Sequence, residues 1–525
     1  MKKGVLLTVV TGTLIFSMFA GCSGMSWRDR GDRGDPGLPR DVGDPDAWKT
    51  LRIELFDRNN TPAGAPPLTD NFMTQYIQEH FGDPNRVKVE FVTVPRAEEL
   101  DRLHVLMAAN QAPDLVFTYD LPTVYNFAKQ GKLTDLTDLL ERHGQDLKQV
   151  LGEDILEVGR FDGKQYAIPA KRVLTAQSAT LIREDWLKEV GLPLPETTEQ
   201  FYEALKAFKE KKPGKSGEDV IPFGHVDYYH TAAIQYSFWD WERITEEDIY
   251  AKPRWAMPGN KEAFRFLNKL YHEGLIDPNF HLDRFSQQFQ KDLVNGRVGA
   301  GTPNVNEPVY MGYLRELQKN EPHAVLTPID PFTTANGKRP KPILEQTGML
   351  IMVPKASPNA EAAVKYLNWM AQPEHYITLQ NGIEGVTYEM KNGIPVTLQN
   401  EEANRTLYNY FDYCIILNGK FVSAADDELN LKANITDSRY EQFTTKSIEY
   451  GMTDGVGTPQ SIRVLPAEIK YSAALNEKND EIFVKVVTAE SASFDAVYDQ
   501  EVADYLKMGG QQVMEERLRT YRERK

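Results

Sequence analysis

Between Leu51 and Asp120 the spacing of apolar residues switches back and forth between two and three-to-four, and this constrains the fold more than any single motif. "LRIELFD" (51–57) reads as a strand. "TDNFMTQYIQEHFG" sets Phe72 against Tyr76 and Met73 against Ile77 on one helical face, with Gly82 as a stop. "VKVEFVTV" (87–94) alternates Val87, Val89 and Phe91 with Lys88 and Glu90, "AEELDRLHVLMAANQ" is a second helix, and "DLVFTYD" (114–120) a third strand. Strands separated by helices lie side by side only when each helix crosses a sheet face, so the order implies a parallel sheet covered by helices. Similar material follows. "LPETTEQFYEALKAFKEKK" carries Thr197 and Gln200 at capping-box spacing ahead of Phe201, Leu205 and Phe208. "NKEAFRFLNKLYHEGLIDP" buries Phe264, Leu267, Leu270 and Tyr271 and stops at Gly274 and Pro278. "GMLIMVPKASPNAEAAVKYLNWM" is a buried strand, then Ser357 as cap with Pro358 at the first helical position. Beyond about residue 390 the pattern is mostly helical.

From Trp48 onward the chain exceeds the usual size of one domain, so two or more lobes are expected. Hydrophobic content of 41% and aromatic content of 10% suffice for sizeable cores. A net charge of −16 disfavours nucleic acid and anionic membrane as partners. Of the two cysteines, Cys414 in "YFDYCIILNG" reads as a buried core thiol.

Cys22 has a different setting. Lys2 and Lys3 precede an apolar run from Val5 to Ala20, too short for a spanning helix and of signal-peptide length. Phe19-Ala20-Gly21-Cys22 resembles a bacterial lipobox, with Phe where Leu is usual. The resemblance implies a signal peptide over 1–21, removed to leave Cys22 lipidated, and hence no intrachain disulfide in the mature chain. Residues 23–47 are dense in Gly, Pro, Asp and Arg, a composition that cannot offset its ordering entropy. A flexible tether of that length spans roughly 25–30 Å.

The segments "MAANQAPDLVFTYD", "QGKLTDLTDLLERHG", "GKQYAIPAKR", "LIREDWLKEVGLPLPETTEQFYEALKAFK", "LYHEGLIDPNF", "NGRVGAG", "MLIMVPKASPNAEAAVKYLNWM" and "NGIEGVTYEM" follow one another in a familiar order. Together they resemble the extracellular solute-binding proteins that feed ABC importers, in particular the large sugar-type lipoproteins, from about residue 48 to the end. The resemblance implies an α/β, two-lobed periplasmic-binding-protein fold of type II with doubly wound lobes joined by a crossing hinge. Its expected divisions are a first lobe over 48–170, a second over 179–345, a return over 346–390, and a mostly helical part packing across the lobes over 391–525. It further implies capture of a carbohydrate between the lobes and delivery to permease subunits, by a monomer anchored outside the cytoplasmic membrane, with no cofactor. The rival readings are a secreted glycan hydrolase and a surface adhesin.

A sugar presents apolar CH faces and many hydroxyls, so its site needs flat rings and planar polar groups. Tyr119 and Asp120 end the third strand, where open α/β sheets bind ligands, although Asp120 reads equally as the cap of a turn. "FWDWER" sets Trp239 and Trp241 around Asp240, and on extended chain both rings would face one side. Arg172 closes "YAIPAKR", where its guanidinium can fork to hydroxyls or form an interlobe ion pair. Tyr166, Trp255, Tyr310 and Glu384 are further candidates. Trp186 and Trp369 lie at core spacing on amphipathic helices and are set aside.

Some relatives carry a calcium loop where this chain has "KKPGKSGEDVIP". Here Lys211, Pro213 and Lys215 occupy the first ligand positions, and lysine repels the ion, so no metal is expected. "GKS" at 214–216 has Lys209 in place of the upstream glycine of a phosphate loop. No H-E-x-x-H, G-x-S-x-G or C-x-x-C occurs, and no carboxylate pair is singled out for hydrolysis. The expectation is therefore a binder and not an enzyme. Of nine histidines, His225 and His230 come nearest to forming a pair, and solvent-exposed loop histidines account for them equally well.

Overall fold

A computed structural model describes residues 48–214, 220–283, 286–435, 438–458 and 465–524. Residues 1–47, on which the signal-peptide, lipidation and tether expectations fall, and residues 215–219 of the segment compared with a calcium loop lie outside the described residues.

The first sheet grows from the opening repeat. Strand Lys49–Asp57 pairs in parallel with Val87–Pro95 along its whole length, Leu51 opposite Val89 and Ile53 opposite Phe91. A parallel bridge from Ile53 to Leu115 hands this pair on to Val116–Thr118. The order then continues through Thr347–Met352 and Ala167–Arg172 to Leu417–Asn418. Leu51, Ile53, Leu55 and Phe56 are all buried, as expected of a strand covered on both faces. One feature departs from the sequence reading: Thr347–Met352 runs antiparallel to both Val116–Thr118 and Ala167–Arg172. The right-handed crossover rule governs strands joined by a helix over the same sheet. This strand instead returns from the second lobe and enters from the opposite end, so the sheet is mixed.

The second sheet is ordered Leu326–Ile329, Thr180–Arg183, Val298–Gly301, Ile221–Phe223, and only the last pair is parallel. Helix Thr198–Lys211 lays Phe201, Leu205 and Phe208 into its core. Gly299 allows this close approach, because a Cβ there would stand 2.6 Å from the Phe208 ring. Thr197 Oγ1 accepts from the Gln200 amide at 3.2 Å, but the Gln200 side chain accepts from Glu196 instead of Thr197, so only half of the capping box forms. Ser357 does not cap its helix. Asn359 holds that position, and Ser357 Oγ donates to Asp114 at 2.6 Å while accepting from the Asn359 amide at 3.0 Å.

The C-terminal third divides between the two cores. Leu407, Tyr413, Ile415 and Phe421 join the first. Leu475, Ile482, Phe483, Val486, Phe494 and Tyr498 join the second. Trp186 and Trp369 are buried, and Cys414 is a fully buried thiol pushed up by burial. Among the described residues no helix is long and apolar enough to cross a membrane.

Candidate functional site

Strand Lys49–Asp57 ends at Arg58, and Val116–Thr118 runs on into Tyr119. Arg58 is held by Asp412 and stacks over the Phe411 ring at 4.5 Å. Burial opposes its charge, but Asp412 outweighs burial and holds the guanidinium above its ordinary value; Tyr119 and Tyr310 act on it in the same sense. Tyr119 lies under Arg96 at 4.9 Å and accepts from Asn418 Nδ2 at 3.2 Å. Tyr310 is 44% exposed and meets Phe411 edge-on, with ring centroids 5.8 Å apart.

Arg172 Nη1 donates to the carbonyls of Glu345 at 2.8 Å and Thr347 at 2.7 Å, stapling the two segments that cross between the sheets. Burial pushes this guanidinium down, against the smaller opposing effects of Tyr119, Tyr229 and Glu345. The Tyr229 hydroxyl is pushed up by burial to about 12 and stays protonated, a donor as well as an acceptor. Two of the sequence candidates, Tyr119 and Tyr310, thus act on Arg58, and Tyr119 acts on a third, Arg172, as well.

Asp120 and Trp239 meet at a second place, a cavity of about 520 Å³ lined also by Tyr228, Arg254, Glu345 and Asn476. Asp120 Oδ2 accepts from the Thr123 amide at 2.9 Å and caps helix Leu121–Lys129. Arg254 stacks over Tyr228 at 3.7 Å and donates to the Tyr228 carbonyl at 2.9 Å.

The tryptophan pair is not on extended chain. Helix Ala232–Phe238 ends at Trp239, and the Trp241 amide donates to the Trp239 carbonyl at 3.0 Å in a tight turn. The rings lie 5.6 Å apart and tilted by 37° instead of forming one flat platform. Trp239 is 4% exposed, stacked on Tyr236 at 3.9 Å, and donates to Asn260 Oδ1 at 3.0 Å. Trp241 is half-buried and donates to the Tyr236 carbonyl at 2.8 Å. Asp240 is partly exposed beside Arg243. Trp255 is buried, stacked on Tyr228, with its indole N–H on Asn479 Oδ1 at 2.7 Å. Tyr166 packs against the cluster of Leu103, Met107 and Phe161, and Glu384 is exposed in a turn bridged to Tyr388. Neither of these two joins either group.

Arg58, Arg254 and Lys420 were not among the sequence candidates. Arg58 was findable by the strand-end rule that selected Tyr119. Lys420 shares a cavity of about 660 Å³ with Tyr310, and its Nζ donates to the Gln380 carbonyl at 2.5 Å and Asn381 Oδ1 at 2.6 Å. Burial pushes this ammonium down to about 7. Lone basic residues inside apolar stretches carry no periodic signal, so nothing pointed to it.

Two sheet-centred lobes, with crossing segments and a shared wall of tyrosines and guanidiniums, define a two-lobed solute-binding protein of type II. The family model for bacterial extracellular solute-binding proteins matches residues 65–377, and the chain belongs to that family. It is 29% identical over 332 residues to lipoprotein LipO of Bacillus subtilis strain 168, covering 61% of this chain and 65%, just under two thirds, of LipO. It is 22% identical over 467 residues to the polygalacturonan/rhamnogalacturonan-binding protein YtcQ of the same organism, covering 83% of this chain and 86% of YtcQ. Among solved structures, the Streptococcus pneumoniae ABC-transporter substrate-binding protein FusA in complex with kestose superimposes with a TM-score of 0.69 at 15% identity, over 90% of this chain and 99% of FusA. The alginate-binding protein AlgQ2 without calcium ion gives 0.67 at 18% identity, over 91% and 98%. At such identities these two structures speak to the fold alone.

Proposed function

We propose that this chain is the substrate-binding lipoprotein of an ABC importer, and that it captures an oligosaccharide between its lobes and passes it to membrane permeases. One observation carries the reading: Arg172 staples the crossing segments while its charge reaches Tyr119 of one lobe and Tyr229 of the other. A ligand seated there touches both lobes and the hinge at once. Rings supply stacking for CH faces, guanidinium and phenol groups pair with hydroxyls, and closure removes water that would compete for them. Relatives support the class, since FusA is a fructooligosaccharide ABC transporter substrate-binding protein and YtcQ a polygalacturonan/rhamnogalacturonan-binding protein. The family consists of binding proteins, which favours recognition without turnover.

In this reading Tyr119, Arg172 and Tyr310 contact ligand, with Asp120 and the edge of Trp241 at the margin. The lobes divide at 48–170 and 179–345, residues 346–390 return to the first, and 391–525 brace both. Residues 1–21 are the signal peptide, Cys22 carries lipid, and 23–47 tether a monomer to the outer face of the membrane. A thermal-shift panel of oligosaccharides tests the function, because a ligand at 100 times its Kd stabilises by about 2.7 kcal/mol. The expected result is stabilisation by at least one sugar with no product formed. Turnover abolished by a single carboxylate substitution overturns it.

A further inference from the structure

We propose that His225, Asp227 and His230 form a site for one late first-row divalent cation such as Zn²⁺. The three side chains each offer a ligand atom within 4.8 Å of the others. Far from a pair of solvent-exposed loop histidines, the two rings stack with centroids 3.5 Å apart, and Phe289 covers the other face of His225 at 4.4 Å. His225 is only 8% exposed and sits at φ 60, a left-handed conformation that a non-glycine residue adopts at a cost.

The hydrogen bonds leave one nitrogen of each ring without a partner. Asp227 Oδ2 lies 2.7 Å from His230 Nδ1. A carboxylate only accepts, so Nδ1 carries a proton and Nε2 is the nitrogen turned away from Asp227. That Nε2 is buried and has no partner. His225 Nε2 lies 2.6 Å from Ser286 Oγ, and its Nδ1 is likewise buried without a partner. Two such nitrogens in one cluster stand out, since buried polar groups are nearly always paired.

Asp227 completes the arrangement in which a carboxylate orients a ligating imidazole through its far nitrogen. Its Oδ1 accepts the amides of Tyr229 at 2.8 Å and His230 at 2.7 Å, which locks the carboxylate in place. A cavity of about 500 Å³ reaches His225 and Asp227, and Asp277, Asp283 and Asp292 also line it, an approach that favours a cation. Imidazole donors select zinc, copper, nickel or cobalt over calcium, which needs roughly six to eight oxygens. Binding slides the rings out of stacking until both free nitrogens stand about 2.0–2.1 Å from one ion, leaving the other positions to water or an oxygen ligand.

The test uses the untagged full-length chain stripped with chelator, without sugar, so its outcome is independent of transport. Zn²⁺ is titrated by calorimetry and Co²⁺ by visible absorption. The expected result is one ion per chain, with His230→Ala and His225→Ala each weakening binding at least ~10-fold and Asp227→Asn about 10- to 100-fold. His104→Ala serves as the control and leaves binding unchanged. Because His225→Ala removes a packed ring, X-ray absorption of the zinc-loaded wild type counts imidazole ligands directly. No binding up to millimolar Zn²⁺, equal binding by the two histidine variants and wild type, or fewer than two imidazoles at the ion overturns the proposal.

Discussion

Arg58 and Asp412 form a two-pronged ion pair, Nε to Oδ2 at 2.7 Å and Nη2 to Oδ1 at 2.9 Å. The Asp412 side chain is fully buried, so the pair ties the segment around Tyr410 to the end of the first strand, beside Tyr119 and Tyr310. Removing one partner strands a charge. Asp412→Ala is expected to cost ~3–5 kcal/mol in urea unfolding, while the double change Arg58→Met with Asp412→Leu costs clearly less. Equal losses in the two variants would show that the charge pair is not what holds this corner.

Glu54 is an acid buried in the middle of the first sheet, 3% exposed, accepting from the Phe117 amide at 3.1 Å. Burial, with a contribution from Glu99, pushes its carboxyl up to about 8. The native state thus keeps a proton that the unfolded chain gives up, and stability falls as pH rises from about 4.5 through about 8. Glu54→Gln removes this slope and is expected to stabilise the protein above pH 8 by ~3–5 kcal/mol, with little effect near pH 4. Melting curves of both proteins across pH decide it.

Lys420 gives the opposite slope. Its ammonium is pushed down to about 7 by burial, so between about pH 7 and 10.5 the unfolded chain binds a proton that the native state does not. Its contribution to stability therefore improves as pH rises through that window. Lys420→Met flattens this rise, read as the difference in unfolding free energy between pH 7 and pH 10. An unchanged slope would mean that Lys420 keeps its charge when buried.

The two tryptophans of "FWDWER" separate by burial. Trp239→Ala is expected to destabilise by ~3–5 kcal/mol, because it empties a space between Tyr236 and Asn260. Trp241 is half-buried, so Trp241→Ala costs less stability and acts on oligosaccharide affinity, by roughly 5- to 10-fold if its ring edge meets ligand. Melting temperature and affinity measured on the same samples distinguish the two, and a Trp239 variant of wild-type stability would refute the assignment.

Much of the first sheet was legible in the sequence because short apolar, strand-like runs at 51–57, 87–94 and 114–120 are separated by helical ones. The direction of Thr347–Met352 was not, since it depends on where the chain re-enters the sheet and not on its own residues. The same limit applies to the aromatics. What covers Trp255 is Asn479 and Tyr498, and what covers His225 is Ser286 and Phe289, residues far along the chain or across an intervening helix. An aromatic residue looks alike in core and cleft until its distant cover is known. The position of Tyr119 was legible because it is fixed by a local event, the end of a strand.

The two cores are interleaved along the chain, and the consequence is kinetic. The first draws on residues 51–170 and again on 349–421, the second on 182–332 and again on 475–513. Ile168 finds its strand partner only when Ile351 has been made, and Phe264 meets Phe483 later still. Such distant pairings close slowly, because the loop entropy is lost before any contact repays it. A nascent chain halted before residue 349 has two unfinished interiors, and one halted short of its last helices still lacks part of the second. For a chain proposed to carry a signal peptide and to work at the outer face of the membrane, that delay keeps it unfolded while it is exported.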